Sequence, residues 1–145
     1  MRLADVNVLL YAHREESKDH NKYRQWLEGE LEATTGFAIS EYILSSFIRI
    51  ATHPRIFDPP TPLNEALAFA SLLRGHANAI RLRPGERHWA LFSELITKTG
   101  SRGNLIPDAY LAALAMEHGC EWITTDGDFA RFPGLRWRHP LETAN

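Results

Sequence analysis

Apolar residues along this chain fall into two rhythms, short unbroken runs and longer stretches at helical spacing, separated by polar or glycine- and proline-rich breaks. Met1 to Asp5 is expected to be a short strand. Val8, Leu9, Tyr11 and Ala12 then suit a buried first helix ending in the polar run His13 to Asp19. From His20 to Glu32 the spacing of Tyr23, Trp26, Leu27 and Leu31 predicts a second helix, with Asp19 as N-cap and Gly36 beyond its end. Gly36 to Ser40 reads as a second strand. Ser40 is placed to cap a helix whose stripe is Ile43, Leu44, Phe47, Ile48 and Ala51, which His53-Pro54 stops and whose first turn holds Glu41. After a loop carrying four prolines between Pro54 and Pro62, Thr61 and Pro62 are expected to open a helix running to Gly75. Ala79 to Leu82 is a third strand candidate and Glu86 to Thr97 a further helix. Pro107 marks a helix start with Asp108 beside it, and that helix runs to His118 with Gly119 in the C-cap place. Trp122 to Thr125 predicts a buried strand ending at Asp126, and Leu135 to Trp137 a last edge strand.

Strands that alternate with helices imply an α/β fold, a three-layer α/β/α sandwich around a central, mostly parallel sheet, because each parallel return needs a crossover helix. In such sheets ligands bind at the carboxyl ends of the strands. Asp5, Glu41 and Asp126 follow strands, and Asp108 stands at a helix start, so all four are expected at that end. Converging carboxylates repel and favour a hard divalent cation, Mg²⁺ or Mn²⁺, bound through oxygen ligands. Such a site hydrolyses phosphodiesters by activating water. Taken one at a time, each of these acids is equally well read as a helix cap.

Length and composition narrow the alternatives. At 145 residues, one domain spanning residues 1–145 is expected, and 44% apolar content is enough to build a core. The net charge of −2 gives no global pull towards a polyanion, so nucleic-acid contact has to be local. Arg74, Arg81, Arg83, Arg87, Lys98 and Arg102, with Arg131, Arg136 and Arg138, offer such a surface. Cys120 is the only cysteine, which rules out an internal disulfide and fits a reducing cytoplasmic compartment. No run approaches the roughly 18 to 20 apolar residues of a membrane span, and the start of the chain reads as fold and not as a signal peptide. The histidines show no zinc spacing and no phosphate-binding glycine loop occurs. A phospho-accepting receiver domain needs a late-strand lysine, and Lys18, Lys22 and Lys98 supply none.

Four segments together resemble the PIN-domain nucleases, specifically the VapC-type ribonuclease toxins of toxin–antitoxin pairs. They are ADVNVLLYA (Ala4 to Ala12), SEYILSSFIRIATHPRIF (Ser40 to Phe57), RGNLIPDAYLAALAMEHG (Arg102 to Gly119) and TTDGDF (Thr124 to Phe129). The resemblance covers nearly the whole chain. It implies a PIN-like sandwich and a Mg²⁺- or Mn²⁺-dependent endoribonuclease with Asp5, Glu41, Asp108 and Asp126 as catalytic metal ligands. Asn7 would support Asp5. Thr125 and Asp128 join it as second-rank candidates, Thr125 by orienting a carboxylate through its hydroxyl and Asp128 through a water or as a turn cap. Many relatives carry the second acid about a turn after the position of Glu41, where this chain has Ser45 and Ser46. The resemblance further implies an RNA substrate, a homodimer, and a cognate antitoxin protein that plugs the acidic groove with a basic side chain. That antitoxin is expected to dock on the helices His20 to Glu32 and Glu41 to Thr52 with the proline loop that follows, where Trp26 or Phe57 would be partly exposed anchors. The alternative reading is a non-catalytic PIN-like module that binds RNA or protein.

Overall fold

A run as short as Arg2–Ala4 becomes a central strand only if neighbours complete its hydrogen bonds on both edges. In the computed structural model, which describes residues 1–142, β1 (Arg2–Ala4) lies between two parallel partners. The three terminal residues of the expected domain, 143–145, lie outside the described residues. The chain continues through α1 (Val6–His13), α2 (His20–Glu32), β2 (Phe37–Ile39), α3 (Glu41–Ala51), α4 (Leu63–Gly75) and β3 (Ala79–Arg81). It then forms α5 (His88–Thr99), α6 (Leu105–Glu117), β4 (Glu121–Ile123), a short 3-10 turn (Gly127–Arg131) and β5 (Trp137–Arg138). The sheet order is β3-β2-β1-β4-β5, and every pairing is parallel. The mostly parallel sheet expected from the sequence is thus wholly parallel.

The order of strands decides where the helices go. From β1 the chain steps outward to β2 and β3, then reverses past β1 to β4 and β5. Parallel crossovers are right-handed, so the reversal sends α5 and α6 to the face opposite α1–α4. The helices pair accordingly: α1 packs on α2 and α3, α3 on α4, and α5 on α6. The reversal leaves a crevice above the carboxyl ends of β1 and β4, the kind of switch point where open α/β sheets bind ligands.

Burial follows from the covered sheet. Leu3, Trp122 and Ile123 are buried in the two central strands. On α6, Ala109, Ala112, Ala113 and Ala115 are all buried, and these small side chains let the helix lie close upon its neighbours. At the far side Phe47 and Phe69 pack at 4.8 Å between ring centroids, with His13 edge-on to Phe47 at 5.3 Å. Buried Arg14 ties down the proline-rich loop. It donates to the Pro59 carbonyl at 2.8 Å and to Thr61 Oγ1 at 3.0 Å, and lies 4.0 Å over the Phe57 ring.

Several element ends differ from the sequence reading. Asp19 occupies the N-cap position of α2 but sits in the left-handed region (φ 59°) and makes no side-chain capping bond. Thr61 does not cap α4, because its hydroxyl accepts from Arg14, and Pro62 takes the cap position itself. The helix expected from Pro107 begins earlier, at Leu105, with the proline in the first turn where its missing N–H costs nothing. Gly119 follows α6 with φ +66°, the left-handed conformation its placement anticipated.

Candidate functional site

Asp5 ends β1 and begins α1. Its backbone N–H donates to the Ile123 carbonyl at 2.8 Å, which extends the β1–β4 ladder by one residue. Its carboxylate accepts from Val6 N at 2.7 Å, so Asp5 is the N-cap of α1. The β1–β4 register pairs Leu3 with Trp122 and Ala4 with Ile123, and one further step sets Thr124 beside Asp5. There the Thr124 hydroxyl donates to Asp5 Oδ2 at 2.7 Å, and Asn7 Nδ2 donates to the same oxygen at 3.3 Å. Asn7 also reaches Thr124 Oγ1 at 3.4 Å, and its own Oδ1 accepts from Thr125 N at 3.5 Å. Asn7 therefore stitches the start of α1 to the end of β4.

Thr124 is fully buried, and its hydroxyl has a second task. It accepts from the Asp126 backbone N–H at 3.1 Å, which turns the chain as it leaves β4. Asp126 then caps the 3-10 turn, with Oδ1 accepting from Asp128 N at 2.9 Å. From the opposite layer, the first turn of α6 delivers Asp108.

These three carboxylates feel one another. Burial, despite the hydrogen bonds from Thr124 and Val6, and with the negative charges of Asp108 and Asp126 beside it, pushes Asp5 up to about 6. Asp108 is raised as well, by burial first and then by Asp126 and Asp128, with Arg131 opposing. A pocket that disfavours its own ionised carboxylates is one whose energy falls when a cation enters. The donors are all oxygen, which suits Mg²⁺ or Mn²⁺. Among the described residues no three His, Cys, Asp or Glu side chains stand close enough to enclose an ion by themselves. Mg²⁺ retains several waters and needs only one or two direct carboxylates, so the residues present fit such an ion.

Glu41 does not join the three. It begins α3 after β2, one strand away from Asp5, with its side chain 56% exposed. Its Oε2 accepts from Arg74 Nε at 3.0 Å, and Arg83 Nη2 lies 4.0 Å from Oε1. Of the four acids expected to converge, Asp5, Asp108 and Asp126 interact with one another, while the Glu41 carboxylate is engaged by arginines from α4 and from the loop after β3. Thr125 is corrected: the hydroxyl that orients Asp5 belongs to Thr124, which the sequence reading passed over. A polar residue closing a strand buried on both faces was the available signal, since its hydroxyl has to find partners. Asp128 offers its backbone amide to Asp126, while its exposed carboxylate lies 3.8 Å from Arg131.

The expected basic surface divides. Arg136 donates to the Gly119 carbonyl at 2.8 Å and Arg138 lies 3.0 Å from Glu121, so both are spent at the amino edge of the sheet. Trp26 and Phe57, expected to be partly exposed, are both half-buried, Phe57 beneath Arg14. The large apolar side chains exposed on α3, α4 and the loop between them are Tyr42, Ile56, Leu63, Leu67 and Leu72. Among the described residues no helix is long and apolar enough to cross a membrane.

A parallel sheet with this order, and three acids at its switch point, define a class that sequence comparison makes definite. Residues 2–135 match the PIN domain, and the chain belongs to the PIN-domain family. Its full-length relatives include VapC ribonuclease Mb2897 of Mycobacterium bovis, 43% identical over 142 residues that cover 98% of this chain and 97% of that protein. Ribonuclease VapC25 of Mycobacterium tuberculosis is 39% identical over 140 residues, covering 97% and 99%. The fold is also that of VapBC2 from Rickettsia felis bound to a promoter DNA fragment, with TM-score 0.68 and 17% identity over 95% of this chain and 97% of that one. Mycobacterium tuberculosis VapC20, a Sarcin-Ricin loop cleaving toxin, matches with TM-score 0.67 and 14% identity over 94% and 99%.

Proposed function

We propose that this protein is a Mg²⁺- or Mn²⁺-dependent endoribonuclease, the toxin of a toxin–antitoxin pair, with Asp5, Asp108 and Asp126 holding the hydrated cation directly or through its waters. The observation that carries the reading is the meeting of these three acids at the β1–β4 switch point, where burial and mutual repulsion raise Asp5 to about 6. At neutral pH Asp5 is then ionised yet poorly solvated, which is the state that gains most from a cation. When bound, the ion would lower the pKa of a coordinated water and offset charge on the phosphoryl oxygens.

The protein's own groups do the rest. Thr124 and Asn7 fix the orientation of Asp5 Oδ2, and the same threonine hydroxyl fixes the turn that presents Asp126. Asp108 approaches from the other helical layer, so closure of the two layers sets the spacing of the site. The RNA strand would cross the carboxyl edge of the sheet, where Arg83 and Arg131 remain partly exposed. An antitoxin partner is supported by structural neighbours that are themselves VapBC complexes. Homodimerisation and a cytoplasmic setting belong to the same reading, and the lone Cys120, buried and unpaired, accords with a reducing compartment.

The test is incubation of the purified protein, freed of antitoxin, with total RNA and Mg²⁺ or Mn²⁺, followed by mapping of new ends. Cleavage that stops with chelator or with Asp108→Asn is expected. RNA that stays intact under both metals would overturn the nuclease reading and leave a binding module in its place.

A further inference from the structure

Where the 3-10 turn after β4 faces the last turn of α5, the surface opens into a basin of about 550 Å³ lined by Lys98, Thr99, Gly127, Asp128, Arg131 and Pro133. Its position follows from the topology. α5 ends, and α6 begins, at the carboxyl edge of the sheet, so the tip of this helical hairpin comes to rest beside the turn that Asp126 caps. Gly127 directly follows Asp126 in the chain, so the basin borders the turn that this acid caps.

Two cations stand on its rim. Arg131 is held in place by its Nε, which donates to the Asp128 carbonyl at 2.9 Å, and Nη2 stands 3.8 Å from Asp128 Oδ2. A guanidinium has five N–H donors in a planar fork, so most of its donors stay available to an oxyanion. The Lys98 ammonium lies 2.6 Å from Glu94 Oε1 on the exposed face of α5, and its side chain is 57% exposed. Gly127 leaves the passage open, since a Cβ built there meets nothing within 4 Å and its backbone needs no positive φ.

We propose that this basin binds the RNA backbone phosphate adjacent to the one being cut, with Arg131 as its fork and Lys98 as a second cation. The inference rests on the nuclease reading and adds a direction to it, the strand leaving the carboxylates towards the α5–α6 tip and away from Glu41. A phosphodiester suits the basin better than a base does. The lining offers two cations, a hydroxyl and a backbone turn, with the one carboxylate, Asp128, lying 3.8 Å from Arg131, and no aromatic ring; phosphate contacts position a strand without reading its sequence. Arg131 also holds positive charge near Asp108, which keeps a bound polyanion tolerable beside three acids.

The test uses the full-length protein and a single-stranded RNA oligonucleotide, with binding measured against salt in the absence of divalent ion and cleavage measured with Mg²⁺. Losing one phosphate contact should flatten the slope of log affinity against log salt by about 0.7 to 1 and weaken binding about tenfold at low salt. We expect this for Arg131→Gln and separately for Lys98→Gln, whose exposed position leaves the fold untouched. KM should rise more than kcat falls, Arg131→Lys should recover part of the loss, and Arg24→Gln on exposed α2 should change nothing. Gly127→Val should raise KM through bulk alone. Native slopes and native KM in both Gln variants, with Asp108→Asn still abolishing cleavage, would overturn the basin and leave the nuclease intact. Native protein that neither binds nor cuts RNA would overturn both. Gln variants that bind RNA normally but lose an acidic protein partner would assign the basin to that partner and refute the phosphate subsite.

Discussion

The Thr124 hydroxyl joins Asp5 at 2.7 Å across the seam between the two central strands, and the same oxygen accepts the Asp126 amide at 3.1 Å. One side chain thereby sets the positions of two acids that are far apart in sequence. Thr124→Val keeps the shape and removes the hydroxyl. It should raise Asp5 further, leave the Asp126 amide without its partner, and weaken Mg²⁺ or Mn²⁺ affinity about 10- to 100-fold. Thr124→Ser should retain most of the affinity. Calorimetric titration of metal into the three proteins decides it, and equal affinities would remove Thr124 from the site.

Asp5 also gives the metal-free protein a pH dependence of definite sign. Its folded pKa of about 6 lies above the ordinary 3.8, so the folded state holds the proton more tightly. The stability this contributes is complete below 3.8 and is lost as pH rises through 6, a change of about 3 kcal/mol at most. In chelator, melting temperature should carry this downward component between pH 4 and about 6.5, and Asp5→Asn should lack it. Added Mg²⁺ should reverse the loss at neutral pH, because the ion binds only the folded acids. Superimposable native and Asp5→Asn profiles would contradict the assignment.

Asp108→Asn and Asp126→Asn should each abolish cleavage while the metal-free fold keeps or gains stability, since each removes a like charge from the cluster. Asn7→Ala should cost less, because Val6 and Thr124 still hold Asp5. Glu41→Gln should leave kcat within about fivefold of native, the scale of an exposed ion pair. A loss as large as that of Asp108→Asn would return Glu41 to the set of metal ligands.

Glu117 closes the far end of α6 by accepting from Gly85 N at 2.7 Å and Arg87 N at 3.0 Å. Burial works against its charge, but these amides prevail and hold it below the usual 4.5. Its contribution is therefore present above pH 4.5 and lost as pH falls through the lowered value. Glu117→Gln should destabilise the protein by about 1 to 3 kcal/mol near neutrality, with a smaller difference in acid, as read by denaturant titration at both pH values.

Much of this is legible in the sequence. The stripes of α2, α3 and α6 repeat at helical spacing, and the buried runs at Leu3 and Trp122 to Ile123 became strands. The placement of Asp5, Asp108 and Asp126 at one edge followed from strand and helix order. What stayed hidden depends on contacts between distant segments. Glu41 meets Arg74 and Arg83, which lie 33 residues or more further along the chain, and no local pattern announces that pairing. Thr124 and Thr125 look alike in sequence. Successive strand residues point to opposite faces, so only the register of β4 against β1 decides which hydroxyl meets Asp5. The caps at Asp19 and Thr61 failed for a related reason: Asp19 has left the capping conformation, and Arg14 claims the Thr61 hydroxyl.

The strand order also governs when this protein becomes capable of anything. β1 is made first and β4 among the last elements, yet they lie side by side, and the acids they present stand at positions 5 and 126. A chain emerging from the ribosome carries Asp5 through most of its synthesis with neither Thr124 nor Asp126 beside it. Until residue 126 has cleared the exit tunnel and β4 has slotted in next to β1, the three acids share no site. Premature termination before β4 therefore releases a fragment in which Asp5 and Asp126 have not been brought together.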